Sequence, residues 1–183
     1  MSSGMEFFLT EELRPKKHDR CNMPHYALDN ELMHQEIIAL LLTKSPEFCT
    51  RLLGSTGKLD RHSQEFDIWM RLDVPCSLAC LEIKVWHHWS DAQMGRQIAE
   101  LGKCGPAQGY AVLLGNASSL SRKKVDEITK GTFRKIAYKD LCSALDVPFG
   151  DETLKEVAAA YKIGLSKQRD RLRKQYPNVD PDE

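Results

Sequence analysis

Two stretches of the chain alternate between apolar and polar positions with the period of two that marks a half-buried β-strand. In the first stretch, residues 64–72, every even position from 66 onwards is apolar. The second stretch, residues 78–86, follows after a short turn that contains Pro75. The pattern therefore predicts two strands joined as a hairpin.

A carboxylate and an ammonium group share one face of the second predicted strand. Because successive side chains of a strand point to opposite faces, Glu82 and Lys84 lie on the same side of the sheet. Asp67 then lies one strand away from Glu82, at the inter-strand spacing of about 4.8 Å. Two carboxylates this close repel each other, and a divalent cation between them would remove the conflict. A plain edge-strand ion pair between Glu82 and Lys84 is the alternative interpretation.

The remaining periodic segments predict helices and further strands. A helix is expected to begin near Asp29 or Asn30, either of which can cap it, and to end at Ser45. Residues 54–62, which contain two glycines, a serine and a threonine, predict a loop. The other predicted helices cover residues 47–53, 91–103, 121–130 and 151–175, and the other predicted strands cover residues 109–115 and 133–138.

Three polar side chains on the predicted helices are candidates for a functional site. Glu36 falls inside an apolar stripe, between Met33 and Leu40. A carboxylate on a core-facing stripe is costly to bury, so it is expected to have a hydrogen-bonding or charged partner or a functional role. Gln93 and Gln97 lie one helical turn apart and therefore share a face of their helix.

Length and composition favour one main domain. The 183 residues carry a formal net charge of zero, which excludes a globally basic nucleic-acid coat, so any polyanion must be bound by local patches. We expect an N-terminal arm over residues 1–29, a core over 30–145, and a C-terminal helical extension over 146–183 that ends in a frayed acidic tail. The sequence has no apolar run long enough for a membrane span and no signal pattern, and its six cysteines are scattered. We therefore expect a cytoplasmic protein with reduced thiols and no membrane partner.

The order of these polar residues resembles the PD-(D/E)xK nuclease superfamily, in particular its bacterial and phage branches related to restriction and defence nucleases. The similarity covers about residues 30–116, and Phe66 stands where the motif has its proline. It depends on polar residues in four consecutive elements, namely Glu36, Asp67, the Glu82-x-Lys84 tripeptide and Gln97. The resemblance implies an α/β, restriction-endonuclease-like core, with a central mixed β-sheet flanked by helices in the order αβββαβ.

The resemblance also implies a chemical role for the matched strand residues. Asp67, Glu82 and the backbone carbonyl of Ile83 would bind Mg²⁺ or Mn²⁺, hard cations that prefer oxygen ligands. Lys84 would orient the attacking water or help to deprotonate it, and would support charge on the phosphate. The metal would lower the pKa of its bound water and stabilise the charge that develops on the phosphate.

The helical residues would complete the site and contact the substrate. Glu36 would reach the metal directly or through a water, and Gln97 would position the water, Lys84 or the nucleic-acid backbone. Further contacts with nucleic acid are expected from Gln93, His87, Lys167, Arg169, Arg171 and Arg173. For the four cations near the C-terminus, a solvated helix face is the alternative interpretation. Trp86 and Trp89 could stack on bases or simply bury area near a helix start.

We therefore predict a Mg²⁺-dependent deoxyribonuclease, an endonuclease that hydrolyses DNA phosphodiester bonds through two carboxylates and a lysine. DNA is the expected partner, and a homodimer or a larger nuclease complex would help so small a chain to span a duplex or reach its target. One alternative is a catalytically inactive relative that binds nucleic acid or a partner protein through the same fold. Another is an interaction protein in which Glu82 and Lys84 form a plain surface pair.

Overall fold

The computed structural model describes residues 30–60, 65–73, 77–85 and 89–183, and these residues form an α/β fold. Five strands make one mixed sheet in which spatial order follows chain order. The strands are β1 (Gly57–Leu59), β2 (Ile68–Leu72), β3 (Ser77–Lys84), β4 (Ala107–Leu113) and β5 (Phe133–Ile136). The pairs β1–β2 and β2–β3 are antiparallel, whereas the pairs β3–β4 and β4–β5 are parallel.

Helices flank the sheet and a long helix follows it. The α-helices are α1 (Glu31–Lys44), α2 (Pro46–Leu53), α3 (Asp91–Lys103), α4 (Arg122–Thr129), α5 (Tyr138–Ala144) and α6 (Glu152–Gln175). Asn30, one of the two caps expected for α1, and Ser90, which caps α3, each accept a backbone hydrogen bond through a side-chain oxygen. Neither α6 nor any other helix in the described part of the chain is long and apolar enough to cross a membrane.

The sheet is buried on both faces, and each face carries its own hydrophobic cluster. On one face, which we call the main core, Leu81 and Ile83 of β3 pack with residues of α1, α2, α5 and α6. On the other face, the second core, Cys80 packs with Met94 of α3 and Val125 of α4. The odd and even positions of β3 therefore separate onto the two faces as their alternation predicts.

The C-terminal helix α6 is joined to the main core by buried polar contacts. The Tyr161 hydroxyl lies 2.7 Å from Nδ1 of His34 on α1. The Tyr138 hydroxyl donates to Oε1 of Gln168 across 2.8 Å. Because Tyr161 and Leu165 are fully buried, this helix packs as part of the same domain.

Four thiols in the described residues are free, namely those of Cys49, Cys80, Cys104 and Cys142. Burial raises the pKa of Cys49 to about 11 and that of Cys80 to about 12. Both side chains therefore remain protonated at neutral pH and pack as small apolar groups.

Gly115, shortly after the end of β4, packs against the backbone at the end of β3. It begins a 3₁₀ turn, Gly115–Ser119, with a φ of 50°. A Cβ atom at this position would lie 2.5 Å from the carbonyl oxygen of Val85, the residue that follows β3. The turn therefore packs directly against that backbone, and both the positive φ and the close approach require glycine.

Two local elements differ from the expectations. The strand β1 lies inside the stretch that was expected to be a loop, and Gly57 pairs with Leu72 at the open edge of β2. This strand is too short to show a hydrophobic period, and backbone pairing with β2 defines it. The strand β5 ends at Ile136, and α5 begins at Tyr138, where the strand was expected to continue.

The acidic tail is packed against the domain, so the expectation of a frayed tail was wrong. Pro181 is buried, and Asp182 Oδ2 lies 2.6 Å from Arg173 and 3.6 Å from Arg169. The carbonyl of Glu183 accepts a hydrogen bond from the backbone N–H of Arg122. The tail is held because its carboxylates meet cationic side chains of α6, a long-range pairing that composition does not show.

Candidate functional site

A buried ion pair lies at the end of β3, on the face that carries the second core. Lys84 Nζ is 2.6 Å from Glu82 Oε1, and the two side chains are 12% and 2% exposed. This arrangement is not a solvated surface pair, because the carboxylate is removed from water. The predicted placement of Glu82 and Lys84 on one face of the strand is confirmed by this contact.

Two glutamines of α3 complete the surroundings of Glu82. Gln93 Nε2 donates to Glu82 Oε1 across 2.7 Å, and Gln97 Nε2 donates to Oε2 across 2.6 Å. The Ser90 cap sets where α3 begins, and the spacing of four residues aligns both amides along one side of the helix. With Lys84, the carboxylate receives three hydrogen bonds of about four that it can accept.

Asp67 reaches the same end of the sheet from the neighbouring strand. It directly precedes β2 and lies opposite Glu82 when the register Ile68↔Leu81 is continued by one residue. Its Oδ2 accepts a hydrogen bond of 2.7 Å from the backbone N–H of Ile83. In a strand, the N–H and C=O of one residue point to the same side, so the Ile83 carbonyl is directed towards the edge where Asp67 lies.

Glu31, which the sequence did not single out, occupies the place expected for Glu36. Glu31 Oε1 accepts a hydrogen bond of 2.9 Å from the Val85 N–H, and Oε2 lies 3.7 Å from Lys84 Nζ. Glu36 is five residues further along α1, which turns it by about 140° around the helix. Within the described residues it makes no hydrogen bond or ion pair with Asp67, Glu82 or Lys84. Glu36 therefore makes none of the direct contacts with this cluster that Glu31 makes.

The face of α1 that meets the site is defined by Glu31 and Gln35, one turn apart. Gln35 Nε2 donates to the backbone carbonyl of Asp67 across 2.9 Å. The buried side of α1 instead contains His34, Ile38 and further apolar residues. The spacing of four residues shows in the sequence that Glu31 and Gln35 share a face, but it does not show which strand that face meets.

Burial and mutual repulsion act on the two carboxylates. Burial raises the pKa of Glu82, and the nearby Asp67 charge raises it further, although Lys84 and Gln97 oppose this effect. Burial also raises the pKa of Asp67, against the hydrogen bond from Ile83 and the charge of Lys84. The Asp67 charge therefore destabilises the ionised form of Glu82, which is the condition that a bound cation relieves.

The lysine behaves in the opposite way. Burial alone would lower the pKa of Lys84, but the hydrogen bond to Glu82 and the charges of Glu82 and Glu31 outweigh burial. The pKa of Lys84 therefore lies above its usual value. The ammonium group is a fixed positive charge at neutral pH.

The donor set of the site consists of oxygen atoms, which suits a hard divalent cation. Asp67, Glu82 and the Ile83 carbonyl provide oxygen ligands, and Mg²⁺ is usually held by one or two carboxylates together with waters and substrate phosphates. Among the residues that the structure describes, no group of three or more His, Cys, Asp or Glu side chains converges. The set therefore fits Mg²⁺ or Mn²⁺ and does not fit a closed tetrahedral site.

The residues expected to contact nucleic acid do not form one continuous surface among the described residues. His87 and Trp86 lie outside the described residues, and Gln93 points at Glu82. Trp89 is only 5% exposed and donates its indole N–H to Gln97 Oε1, so it is not a surface for stacking. The last candidates are on α6, where Lys167 and Arg171 line a shallow groove, and Arg169 and Arg173 pair with the tail.

Comparison with known proteins assigns no family. The chain matches no protein-family model, no curated protein and no solved structure. A function can therefore be proposed only from the α/β fold and from the polar cluster around Glu82. Of these two, only the cluster contains side chains that could bind a ligand or catalyse a reaction, because a fold alone does not define a function.

Proposed function

We propose that this protein is a Mg²⁺- or Mn²⁺-dependent nuclease that hydrolyses DNA phosphodiester bonds, built on a restriction-endonuclease-like core similar to that of the PD-(D/E)xK superfamily. The observation that carries the proposal is the convergence of Asp67, Glu82 and Lys84 at one end of two adjacent strands. Had Lys84 projected from the other face of the sheet, the proposal would have failed. The elements from α1 to β4 follow the αβββαβ order of that core, except that the additional short helix α2 lies between α1 and β1.

The acidic residues would form the metal-binding part of the site. Asp67, Glu82 and the Ile83 carbonyl would hold the cation, which supplies Lewis acidity and a water of lowered pKa. Gln93 and Gln97 hold the Glu82 carboxylate in one orientation through its two oxygens. This preorganisation lowers the reorganisation needed when a cation binds.

Lys84 supplies positive charge beside the metal-binding carboxylates. In the metal-free protein Glu82 and Glu31 raise its pKa, so the side chain is charged and donates hydrogen bonds at neutral pH. Its contribution is therefore to orient a water or a phosphate oxygen and to stabilise negative charge that develops on the phosphate.

Cleavage of DNA tests this proposal directly. Purified protein is incubated with supercoiled plasmid and with single-stranded DNA in Mg²⁺, in Mn²⁺ and in EDTA. We expect cleavage only with metal, reduced by about 100-fold or more in Glu82→Gln and Lys84→Met, because each variant removes a charge on which the transition state depends. Lys135→Met is the matched control, since Lys135 is also a buried lysine but lies on β5. Cleavage that persists in EDTA, or that survives both site substitutions, would contradict the proposal.

A second candidate function follows from the hydrogen bonds that the Glu82 carboxylate already accepts within the protein. Three donors already occupy its oxygens, a pattern that also suits a purely structural ion pair in a catalytically inactive protein that binds nucleic acid or a partner protein. That function predicts DNA binding, measured by fluorescence anisotropy, without cleavage in any metal. It also predicts that Glu82→Gln leaves the affinity for DNA unchanged.

A further inference from the structure

We propose that Trp89 is a positioning residue that fixes the direction of the Gln97 side-chain amide, so that its NH₂ group faces the Glu82 carboxylate. This inference concerns the same site as the proposed nuclease function and rests on it for its catalytic consequence. The geometry of the three side chains carries it.

The contacts of Gln97 define only one orientation of its amide. Trp89 Nε1 donates to Gln97 Oε1 across 2.7 Å, while Gln97 Nε2 donates to Glu82 Oε2 across 2.6 Å. Nε2 also donates to the backbone carbonyl of Glu65 across 2.7 Å. All three contacts therefore favour the same assignment of oxygen and nitrogen.

The indole group selects this orientation because it is a donor only. A glutamine amide rotated by 180° exchanges its oxygen and its NH₂ group with almost no change in shape. In the rotated form, the amide oxygen would meet the Glu82 carboxylate, and the NH₂ group would meet the indole N–H of Trp89. Both contacts would be repulsive, and the amide oxygen would also meet the Glu65 carbonyl, so Trp89 adds to the preference that the two acceptors already set.

Burial makes this selection strong. Gln97 is fully buried, and Glu82 and Trp89 are 1% and 5% exposed, so water does not replace a lost hydrogen bond cheaply. The Phe133 ring meets the indole of Trp89 edge to face, with ring centroids 4.7 Å apart, and holds it in place. The path from Trp89 through Gln97 to Glu82 is therefore rigid.

The catalytic consequence concerns the direction of the Glu82 carboxylate. Lys84 and Gln93 both bind Oε1, and Gln97 binds Oε2, so the Gln97 contact is the one that stops the carboxylate from turning. Removing the indole N–H leaves the buried Gln97 Oε1 without its donor, and the amide is then held only through its NH₂ group, so its hold on Glu82 Oε2 is weakened. Loss of such an outer hydrogen bond commonly costs 10- to 100-fold in metal affinity or activity.

Trp69 provides a matched control within the same cluster. It belongs to the second core with Trp89, is 3% exposed, and lies edge to face with Phe66. Its indole Nε1 is buried and has no hydrogen-bond partner within the described part of the chain. Trp69→Phe therefore removes the same atoms as Trp89→Phe without removing a hydrogen bond.

The experiment combines two measurements on wild-type protein, Trp89→Phe and Trp69→Phe. Proton–nitrogen NMR spectra of the metal-free protein report the environment of the Gln97 NH₂ group, and calorimetry reports the affinity for Mg²⁺. We expect Trp89→Phe to shift the Gln97 resonances and to weaken Mg²⁺ binding by about 10-fold, with a similar loss of kcat. Trp69→Phe is expected to change none of these quantities.

A double-mutant comparison separates positioning from general destabilisation. In a Gln97→Met background, Trp89→Phe should cause no further loss of Mg²⁺ affinity, because the residue through which it acts is gone. Should Trp89→Phe fail to fold, the Trp89 indole proton is followed in Gln97→Met, where we expect an upfield shift and faster exchange with solvent.

Three results would overturn the assignment of Trp89. They are unchanged Gln97 resonances in Trp89→Phe, an equal loss in Trp69→Phe, or an undiminished effect of Trp89→Phe in the Gln97→Met background. If wild-type protein binds no Mg²⁺, the proposed nuclease function fails, and the metal-free spectra still decide whether Trp89 orients Gln97.

Discussion

The Glu31 carboxylate lies 3.7 Å from the Lys84 ammonium group, and the same carboxylate accepts a hydrogen bond from the backbone N–H of Val85. Lys84 is thus placed between an acid of its own strand, Glu82, and an acid from the first turn of α1. This contact joins the first helix to the end of β3 at the residue that carries the positive charge of the site. The helix therefore contributes to the electrostatics of the site from a position that no strand motif indicates.

Glu31 and Glu36 form a matched pair for mutation, since both are carboxylates of α1. We expect Glu31→Gln to lower the rate of metal-dependent cleavage by about 10-fold, because it removes a charge that holds Lys84 while it keeps an oxygen for the Val85 N–H. Glu36→Gln is expected to leave the rate unchanged, since it contacts none of these groups within the described residues. Comparison of kcat for the two variants is the measurement, and a larger loss in Glu36→Gln would reverse our placement of the helical acid.

Asp67→Asn should separate stability from metal binding. Burial raises the pKa of the Asp67 carboxyl, and the Glu31 charge adds to this effect, so ionised Asp67 opposes folding above the usual carboxyl range. The amide can still accept the Ile83 N–H, and we expect the metal-free variant to be at least as stable as wild type. We also expect Mg²⁺ at ten times its Kd to stabilise wild type by about 1.4 kcal/mol and the variant much less. Urea denaturation with and without Mg²⁺ measures both effects, and equal stabilisation by Mg²⁺ would remove Asp67 from the ligand set.

Lys135 predicts a pH dependence of stability that is independent of the site. Burial, assisted by the charge of Arg122, lowers its pKa from 10.5 to about 8. Its ammonium group donates to the Ser118 carbonyl across 2.9 Å. Between about pH 8 and 10.5 the unfolded chain then binds more protons at this residue than the folded chain. The contribution of Lys135 to the free energy of unfolding therefore rises with pH in this window.

Lys135→Met removes this contribution. We expect the difference in the free energy of unfolding between wild type and variant to shift in favour of wild type as the pH rises from 8 to 10, by on the order of 2 to 3 kcal/mol. Urea denaturation of both proteins at several pH values gives the difference directly. Using the difference cancels the effect of the buried thiols, which titrate at higher pH in both proteins. Parallel stability curves would show that Lys135 titrates normally.

The tail contact predicts a coupling between Arg173 and Asp182, which lie 2.6 Å apart. Because Arg173 is 47% exposed, we expect Arg173→Ala and Asp182→Asn to cost only about 0.5 to 1 kcal/mol each. The double variant should cost little more than either single one, and the coupling should weaken in high salt. Glu152→Gln on the exposed first turn of α6 is the control and should have no measurable effect. Fully additive losses would mean that the two side chains act independently.

The parts of the site that follow from local pattern could be predicted from the sequence. The period of two placed Glu82 and Lys84 on one face of β3, and the Ser90 cap together with the spacing of four residues placed Gln93 and Gln97 together. These relations are fixed within one strand or one helix. The structure confirms both relations, because the strand keeps its period of two residues and the helix its period of about 3.6 residues.

The parts that depend on how elements meet could not be predicted in this way. Glu31 lies in the first turn of α1. The apolar stripe of this helix shows which side is buried, but it does not show which strand the first turn contacts. The apolar stripe instead drew attention to Glu36, which shares the helix but not the side that meets β3. Trp89 likewise shows its role only once its indole N–H is placed beside Gln97, because the residue type alone is equally suited to filling a core.

Gly115 extends the boundary of this site to a residue that has no functional group. Its substitution by alanine would push the Val85 backbone, and Val85 holds the Glu31 carboxylate that in turn attracts Lys84. A random-mutagenesis screen for loss of cleavage would therefore recover Gly115 together with the charged residues. In such a data set, Gly115 would be classified with the catalytic residues. Its glycine is required only because a larger side chain would clash with the carbonyl oxygen of Val85.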